Sequence, residues 1–207
     1  MAGFGRPGRR RHARDQRQRL LIVCEGERAE CDYLSFLCRA EGQTAAHIVG
    51  GAGDPLGVVE EAIRRRTQAM LAARRLREAD QRYDQVWAVV DVDDHQRLEA
   101  ARRLAAKAEI EIAVSNPCFE LWLWLHFADA DAGHQTDALR RGLEAWLPHY
   151  RERKRFDQSA FQRVLYPAIP SAIERAERLS RLRGVGTPGP FTEVARLVRV
   201  LRGAPTS

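Results

Sequence analysis

Two carboxylates stand directly after an apolar segment of the chain, and this pattern suits the binding of a divalent metal ion. Asp91 and Asp93 follow Gln85–Val90, and an extended backbone would point both side chains to the same side. Neighbouring carboxylates repel each other unless a cation lies between them, and sites made only of oxygen ligands favour Mg²⁺ or Mn²⁺ over Zn²⁺. We therefore expect Asp91 and Asp93 to be metal ligands.

Two glutamates could join this pair. Glu25 follows the apolar segment Leu20–Cys24, and Gly26 after it allows the backbone to turn sharply. Glu120 lies in the apolar stretch 118–127, where an unpaired carboxylate would be costly to bury. It therefore lies either on the solvent side of a helix or in the first helical turn facing the other acids, a position that also suits the helix dipole.

The acidic run 91–94 has two other interpretations. Acidic side chains favour the first residues of a helix, so the run could merely cap the next helix. Alternatively, Asp91 could be the nucleophile of a phosphotransferase, with Asp93 as its acid or base. In that class the acidic pair normally follows the first strand, whereas here the segment ending at Glu25 comes earlier, and this order counts against it.

Short apolar segments alternate with helical patterns along the chain. Strands are predicted at 20–24, 46–49, 85–90 and 110–114, with helices between them, a helix from Pro117 to about Phe127 and a mainly helical part from about 135. This order predicts an α/β fold with a mostly parallel sheet flanked by helices. Ligands of such sheets bind beyond the carboxyl ends of the strands, so segments 25–27, 91–94 and 115–120 should meet there.

The net charge of +6 is concentrated at the start of the chain. Residues 1–19 hold seven arginines and one aspartate, and their low apolar content predicts a disordered arm before a single domain at 20–207. Such an arm would contact nucleic-acid phosphates, or would only aid solubility. A second basic segment lies in the helix predicted from about 58 to 78. The predicted nucleic-acid contacts in these two segments are Arg9, Arg10, Arg11, Arg64, Arg65 and Arg66.

Composition indicates a soluble cytoplasmic protein. No apolar run approaches the roughly 18–20 residues that cross a bilayer. The four cysteines include no CxxC pair, which favours reduced thiols over a disulfide framework.

Three blocks of the sequence form a distinctive pattern: CEGE at 24–27 followed by Glu30 and Tyr33, DVDDH at 91–95, and SNPCFELWLWLHF at 115–127. The third block is the most specific, because so long a string is hard to produce by chance. Together the blocks resemble the RloB-like family, a bacterial group with a Toprim-like fold, and a final helix with Thr192, Val194, Leu197 and Val198 also fits.

This resemblance implies a Toprim or Rossmann-like sheet and a Mg²⁺- or Mn²⁺-dependent nuclease of antiphage defence or restriction-associated systems. Glu25 matches the acid/base glutamate, Asp91 and Asp93 match the metal pair, and Glu120 would be a supplementary ligand. It also implies an ATPase partner encoded nearby. For the basic residue that such nucleases often carry, Lys154 and Arg155 are the candidates. The alternative is a non-catalytic nucleic-acid-binding or regulatory partner of that ATPase.

Overall fold

Five strands form one sheet: β1 (Gln18–Cys24), β2 (Thr44–Val49), β3 (Gln85–Asp91), β4 (Glu111–Asn116) and β5 (Phe191–Thr192). Their order across the sheet is β2-β1-β3-β4-β5. All neighbouring pairs are parallel except β4 and β5, which are antiparallel. The computed structural model describes residues 18–42, 44–76, 82–92, 95–131, 133–182 and 189–203.

Helices cover the sheet and make up most of the C-terminal part, as predicted. The α/β class and the mostly parallel sheet are confirmed. Among the helices that the structure describes, none is long and apolar enough to cross a membrane. The helices are α1 (Ala29–Glu41), α2 (Pro55–Leu76), α3 (His95–Lys107), α4 (Glu120–Trp124), α5 (Thr136–Leu143), α6 (Tyr150–Arg153), α7 (Gln158–Ala160), α8 (Tyr166–Leu182) and α9 (Val194–Leu201), with a π-helical turn at Phe161–Leu165.

The side chains of β1 alternate between the two faces of the sheet, as extended backbone requires. Leu20 and Ile22 belong to a core cluster with residues of α1, α4, α8 and α9, on what we call the α1 face. Leu21 and Val23 belong to a second cluster with residues of α2 and α3, on the α2 face. Because both faces are buried, the strand reads as a continuous apolar run.

β1 begins at Gln18, two residues before the predicted start. The backbone N–H of Arg19 donates to Asp84 Oδ2 (2.7 Å), and its carbonyl accepts from the Asp84 N–H (2.8 Å). These bonds extend the strand into the end of the predicted arm. Residues 1–17, with Arg9, Arg10 and Arg11, lie outside the described residues.

The segment after β4 differs from the prediction. The helix predicted from Pro117 begins at Glu120 instead, because β4 continues to Asn116 and its last two residues pair with β5. Asn116 Nδ2 also donates to the carbonyl oxygen of Gly189 (3.1 Å). Bonds between residues 73 apart in sequence leave no local pattern from which to predict them.

Candidate functional site

A pocket of 730 Å³ opens where β1, β3 and β4 end. Because parallel strands bring their carboxyl ends to one edge, the three predicted segments contribute residues to this single pocket. We call it the acidic pocket. Its carboxylates are Glu25, Glu27, Glu30, Asp91 and Glu120, and its cations are Arg28, Arg140 and Lys154.

Glu25 and Asp91 lie at the ends of neighbouring strands. The backbone N–H of Glu25 donates to Val89 O (3.0 Å), which continues the pairing of β1 with β3 by one residue. The Glu25 carboxylate then accepts a hydrogen bond from the Asp91 backbone N–H, at 3.1 Å to Oε2. The side chain of Glu25 therefore contacts the backbone of the second acidic segment directly.

The turn after β1 requires glycine because other groups approach it closely. A Cβ on Gly26 would lie 2.5 Å from the carboxylate oxygens of Glu30. A Cβ on Gly50 would lie 2.6 Å from both Cys31 Sγ and the carbonyl oxygen of Gly26. Glycine at these two positions lets Glu30 and the loop after β2 pack against the turn that carries Glu25.

Glu120 lines the acidic pocket but is already paired. Glu120 is only 4% exposed, so the alternative that it lies on the solvent side of a helix is wrong. Arg140 Nε, from α5, donates to Glu120 Oε1 at 2.7 Å. Sequence reasoning missed Arg140, although the apolar surroundings of Glu120 were a signal that a cation had to come from another element.

Negative charge is crowded on the Glu120 side of the acidic pocket. Burial raises the pKa of the Glu30 carboxyl, and the charge of Glu120 raises it further. Burial likewise raises the pKa of the Cys118 thiol, as do the charges of Glu120 and Asp91. Cys118 therefore remains a protonated thiol near neutral pH, which argues against thiolate chemistry here.

Tyr150 contributes a buried hydroxyl next to this charge. The residue is 0% exposed, and its hydroxyl has no hydrogen-bond partner among the residues that the structure describes. Burial raises the pKa of Tyr150, and the charges of Glu120 and Glu30 raise it further. Its hydroxyl therefore stays neutral and can donate a hydrogen bond.

Of the two predicted cations, Lys154 is the one that lines the acidic pocket. It follows α6 and has a left-handed backbone, with φ 46°. Arg155 instead donates from Nε to Asp32 Oδ2 (2.9 Å) and lines a neighbouring groove. Neighbouring positions in the sequence thus reach two different cavities.

The predicted metal ligands are only partly described. Among the described residues, no three Asp, Glu, His or Cys side chains form a group that could hold a metal ion. Asp93, the second member of the predicted pair, lies outside the described residues. The two described ligand candidates, Glu25 and Asp91, are carboxylates at the ends of neighbouring strands, and their oxygens fit a hard cation such as Mg²⁺ or Mn²⁺.

The three arginines of α2 that were predicted to contact nucleic acid all make contacts within the chain. Arg64 Nε and Arg65 Nε donate to the Glu61 carboxylate, at 2.7 and 2.6 Å. Arg66 donates to the carbonyl oxygen of Ala108 (2.6 Å). Their predicted contact with nucleic acid would have to compete with these bonds.

His126 is a packed, hydrogen-bonded histidine. Its Nδ1 lies 2.9 Å from the carbonyl oxygen of Trp122, which only accepts, so Nδ1 carries the proton. Nε2 then accepts from the Tyr33 hydroxyl (3.0 Å). Burial lowers the pKa of His126 to about 4, so the ring is neutral and structural.

An acidic pocket at the carboxyl edge of a mostly parallel sheet defines an α/β protein with a strand-end site. The family model described as RloB-like protein matches residues 20–201. The chain therefore belongs to the RloB-like family. Neither a curated protein nor a solved structure matches the chain significantly.

Proposed function

We propose that this chain is a Mg²⁺- or Mn²⁺-dependent nuclease with a Toprim-like site, which cleaves nucleic-acid phosphodiester bonds in antiphage defence or a restriction-associated system. The observation that carries the proposal is the contact between Glu25 and the Asp91 backbone at 3.1 Å. It joins two acidic blocks of the RloB-like sequence at one strand edge. Family membership supports the same assignment.

The chain's own residues divide into four roles. Asp91, Asp93 and Glu25 would hold the metal, and Glu25 would also take or return a proton at the water and the leaving oxygen. Glu120, held in place by Arg140, would orient the water or add a ligand oxygen. Lys154 would contact the phosphate from the other wall of the acidic pocket. When bound, the metal would supply charge stabilisation of the phosphate and a more acidic water.

The direct test is cleavage of end-labelled single- and double-stranded DNA and RNA in Mn²⁺ or Mg²⁺. We expect wild type to cleave at least one of these, and Asp91→Asn and Glu25→Gln to cleave at least about 100-fold more slowly, since each removes a charge from the reaction. Glu144→Gln, an exposed acid outside the acidic pocket, is the matched control and should cleave like wild type. Full activity of Asp91→Asn would contradict the proposal.

One observation favours the alternative, a nucleic-acid-binding or regulatory partner of an ATPase. Arg140 already neutralises Glu120, which lowers the need for a metal beside that carboxylate. If the alternative is right, purified protein binds nucleic acid but cleaves none with any divalent metal. Cleavage that appears only when a purified ATPase partner and ATP are added would instead assign a nuclease that needs its partner.

A further inference from the structure

A groove of 760 Å³ lies next to the acidic pocket, and we call it the basic groove. The two cavities share one stretch of backbone. Lys154 lines the acidic pocket, whereas its neighbours Arg153 and Arg155 line the basic groove. Arg28, on the wall of the acidic pocket, donates to the carbonyl oxygen of Arg153 (3.4 Å), which ties the two walls together. An elongated ligand leaving the acidic pocket over Lys154 therefore enters the basic groove.

The rim of the basic groove carries uncompensated positive charge. Arg153 and Arg163 are exposed, and within the described parts of the chain neither side chain has an ion-pair partner. Arg155 is paired with Asp32. Among the described residues that line the groove, Asp157 has the one carboxylate, which accepts the backbone N–H of Ala160 in α7 (2.7 Å). Two unpaired arginines against one carboxylate leave the rim net positive, which favours a polyanionic ligand.

The floor of the basic groove is apolar and partly aromatic. Phe36 is half-buried there, and its ring lies edge-on to Phe156 with centroids 6.0 Å apart. Leu147 completes the floor. The guanidinium of Arg39 lies 5.8 Å from the Phe36 centroid and adds a cation at the margin. A cationic rim above a partly exposed aromatic ring is an arrangement by which proteins bind single strands, because unpaired bases offer apolar faces while their phosphates bind the rim.

We propose that the basic groove binds a single strand of nucleic acid continuing from the acidic pocket. This inference rests on the proposed function, because it takes the acidic pocket as the place where the scissile phosphate lies. It assigns binding to Arg153 and Arg163, which no sequence pattern marked. It also places the bound nucleic-acid strand on the α1 face of the protein.

The test measures binding without cleavage. A fluorescein-labelled 20-nucleotide single strand is titrated with full-length protein in EDTA, and fluorescence anisotropy gives the Kd of wild type and two charge-reversal variants. Arg153→Glu/Arg163→Glu reverses the rim. Arg103→Glu/Lys107→Glu reverses two exposed cations of α3 on the opposite face and changes the net charge by the same amount. Thermal melts check that both variants fold.

We expect the rim variant to bind at least 10-fold more weakly and the α3 variant to stay within about 3-fold of wild type, since only the first loses phosphate contacts. The slope of log Kd against log salt should fall by roughly 1.4 in Arg153→Gln/Arg163→Gln, two contacts at about 0.7 each. A duplex of the same sequence should bind at least 10-fold more weakly than the single strand.

Three results would overturn the inference: no binding by wild type, equal losses in the two charge-reversal variants, or duplex binding as tight as single-strand binding. The outcome is separable from that of the proposed nuclease. Rim-dependent binding by a wild type that never cleaves would retain the basic groove and reject the nuclease. If wild type cleaves, and the rim variant cleaves at the same rate and binds with the same Kd, the nuclease would be retained and the basic groove rejected.

Discussion

The two faces of the sheet are built from different chemistry. The α2 face is packed with valine, alanine, leucine and isoleucine side chains and Phe191, and its core cluster contains no titratable group among the described residues. The α1 face buries Glu30, Glu120 and His126 beside its aromatic rings. Since burying a polar group without a partner is costly, the α1 face must supply partners that the α2 face does not need.

Exposed cations without an ion-pair partner among the described residues occur on both faces, such as Arg103 and Lys107 of α3, but those of the α1 face line a groove next to the acidic pocket. On the α2 face, Arg64 and Arg65 are held by Glu61 of their own helix. On the α1 face, Arg153 and Arg163 project from the basic groove with no counter-ion in the described regions. The comparison indicates that the α2 face stabilises the sheet, whereas the α1 face carries the acidic pocket and the basic groove next to it.

The largest effect on stability should come from breaking the buried ion pair of the α1 face. Arg140→Met leaves the Glu120 charge buried without its partner, so we expect the free energy of unfolding to fall by about 3 kcal/mol. The double variant Glu120→Gln/Arg140→Met should recover most of this loss. Urea denaturation measures both.

Arg141→Met is the matched control, because Arg141 is the next residue of α5 and is exposed. Its free energy of unfolding should change by less than about 0.5 kcal/mol. If Arg140→Met and Arg141→Met lower the free energy of unfolding equally, the buried ion pair does not stabilise the α1 face.

A pH-dependent loss of stability should come next and should arise from His126. Its folded pKa is depressed to about 4, so between pH 6.5 and 4 the unfolded chain binds a proton that the folded chain does not. Stability from this group is present above pH 6.5 and is lost as the pH falls. We expect a free energy of unfolding about 2 kcal/mol lower at pH 5 than at pH 8 from this group alone.

Urea denaturation of wild type and His126→Gln at pH 8 and pH 5 isolates this contribution. The variant should be less stable at pH 8 but should lose about 2 kcal/mol less than wild type on acidification. His149→Asn, which changes an exposed histidine, should keep the wild-type pH dependence. An unchanged pH dependence in His126→Gln would contradict a neutral histidine in the α1 face.

The smallest effect on stability is expected at Lys154, where the effect on cleavage should be large. Its φ of 46° is a left-handed conformation that glycine adopts freely. In Lys154→Gly, relief of that strain offsets the added chain entropy, so the free energy of unfolding should change by less than about 0.5 kcal/mol. Cleavage should fall at least about 10-fold because the cation beside the phosphate is gone.

Glu109→Gly provides the matched control. Glu109 has a comparable backbone conformation, with φ 53°, but follows α3 and does not line the acidic pocket. We expect a similar change in stability and unchanged cleavage. Equal cleavage by Lys154→Gly and wild type would remove Lys154 from the site.

Local patterns predicted most of the fold and the acidic half of the site. The apolar runs at 20–24 and 85–90 marked strands buried on both faces, and the acids after them marked the edge where a pocket forms. Glu25, Asp91 and Glu120 do line one pocket. Their spacing along the chain was sufficient for this, because parallel strands align their carboxyl ends.

The remaining features depend on contacts distant in sequence. Arg140 reaches Glu120 across 20 residues and from another helix. The antiparallel β5 and the late start of α4 depend on pairing between residues 115–116 and 191–192. The basic groove is formed only when α1 packs beside the segment 147–163. No local periodicity or motif in the sequence predicts any of these three features.

The most direct test of the account is calorimetric titration of the full chain with Mn²⁺. We predict saturable binding by wild type that is lost in Asp91→Asn and Glu25→Gln and retained in Glu144→Gln. That result would establish the strand-end carboxylates as ligands of a divalent cation. Binding that is unchanged in Asp91→Asn and Glu25→Gln, or no binding by wild type, would contradict the central claim that the acidic pocket is a metal-dependent site.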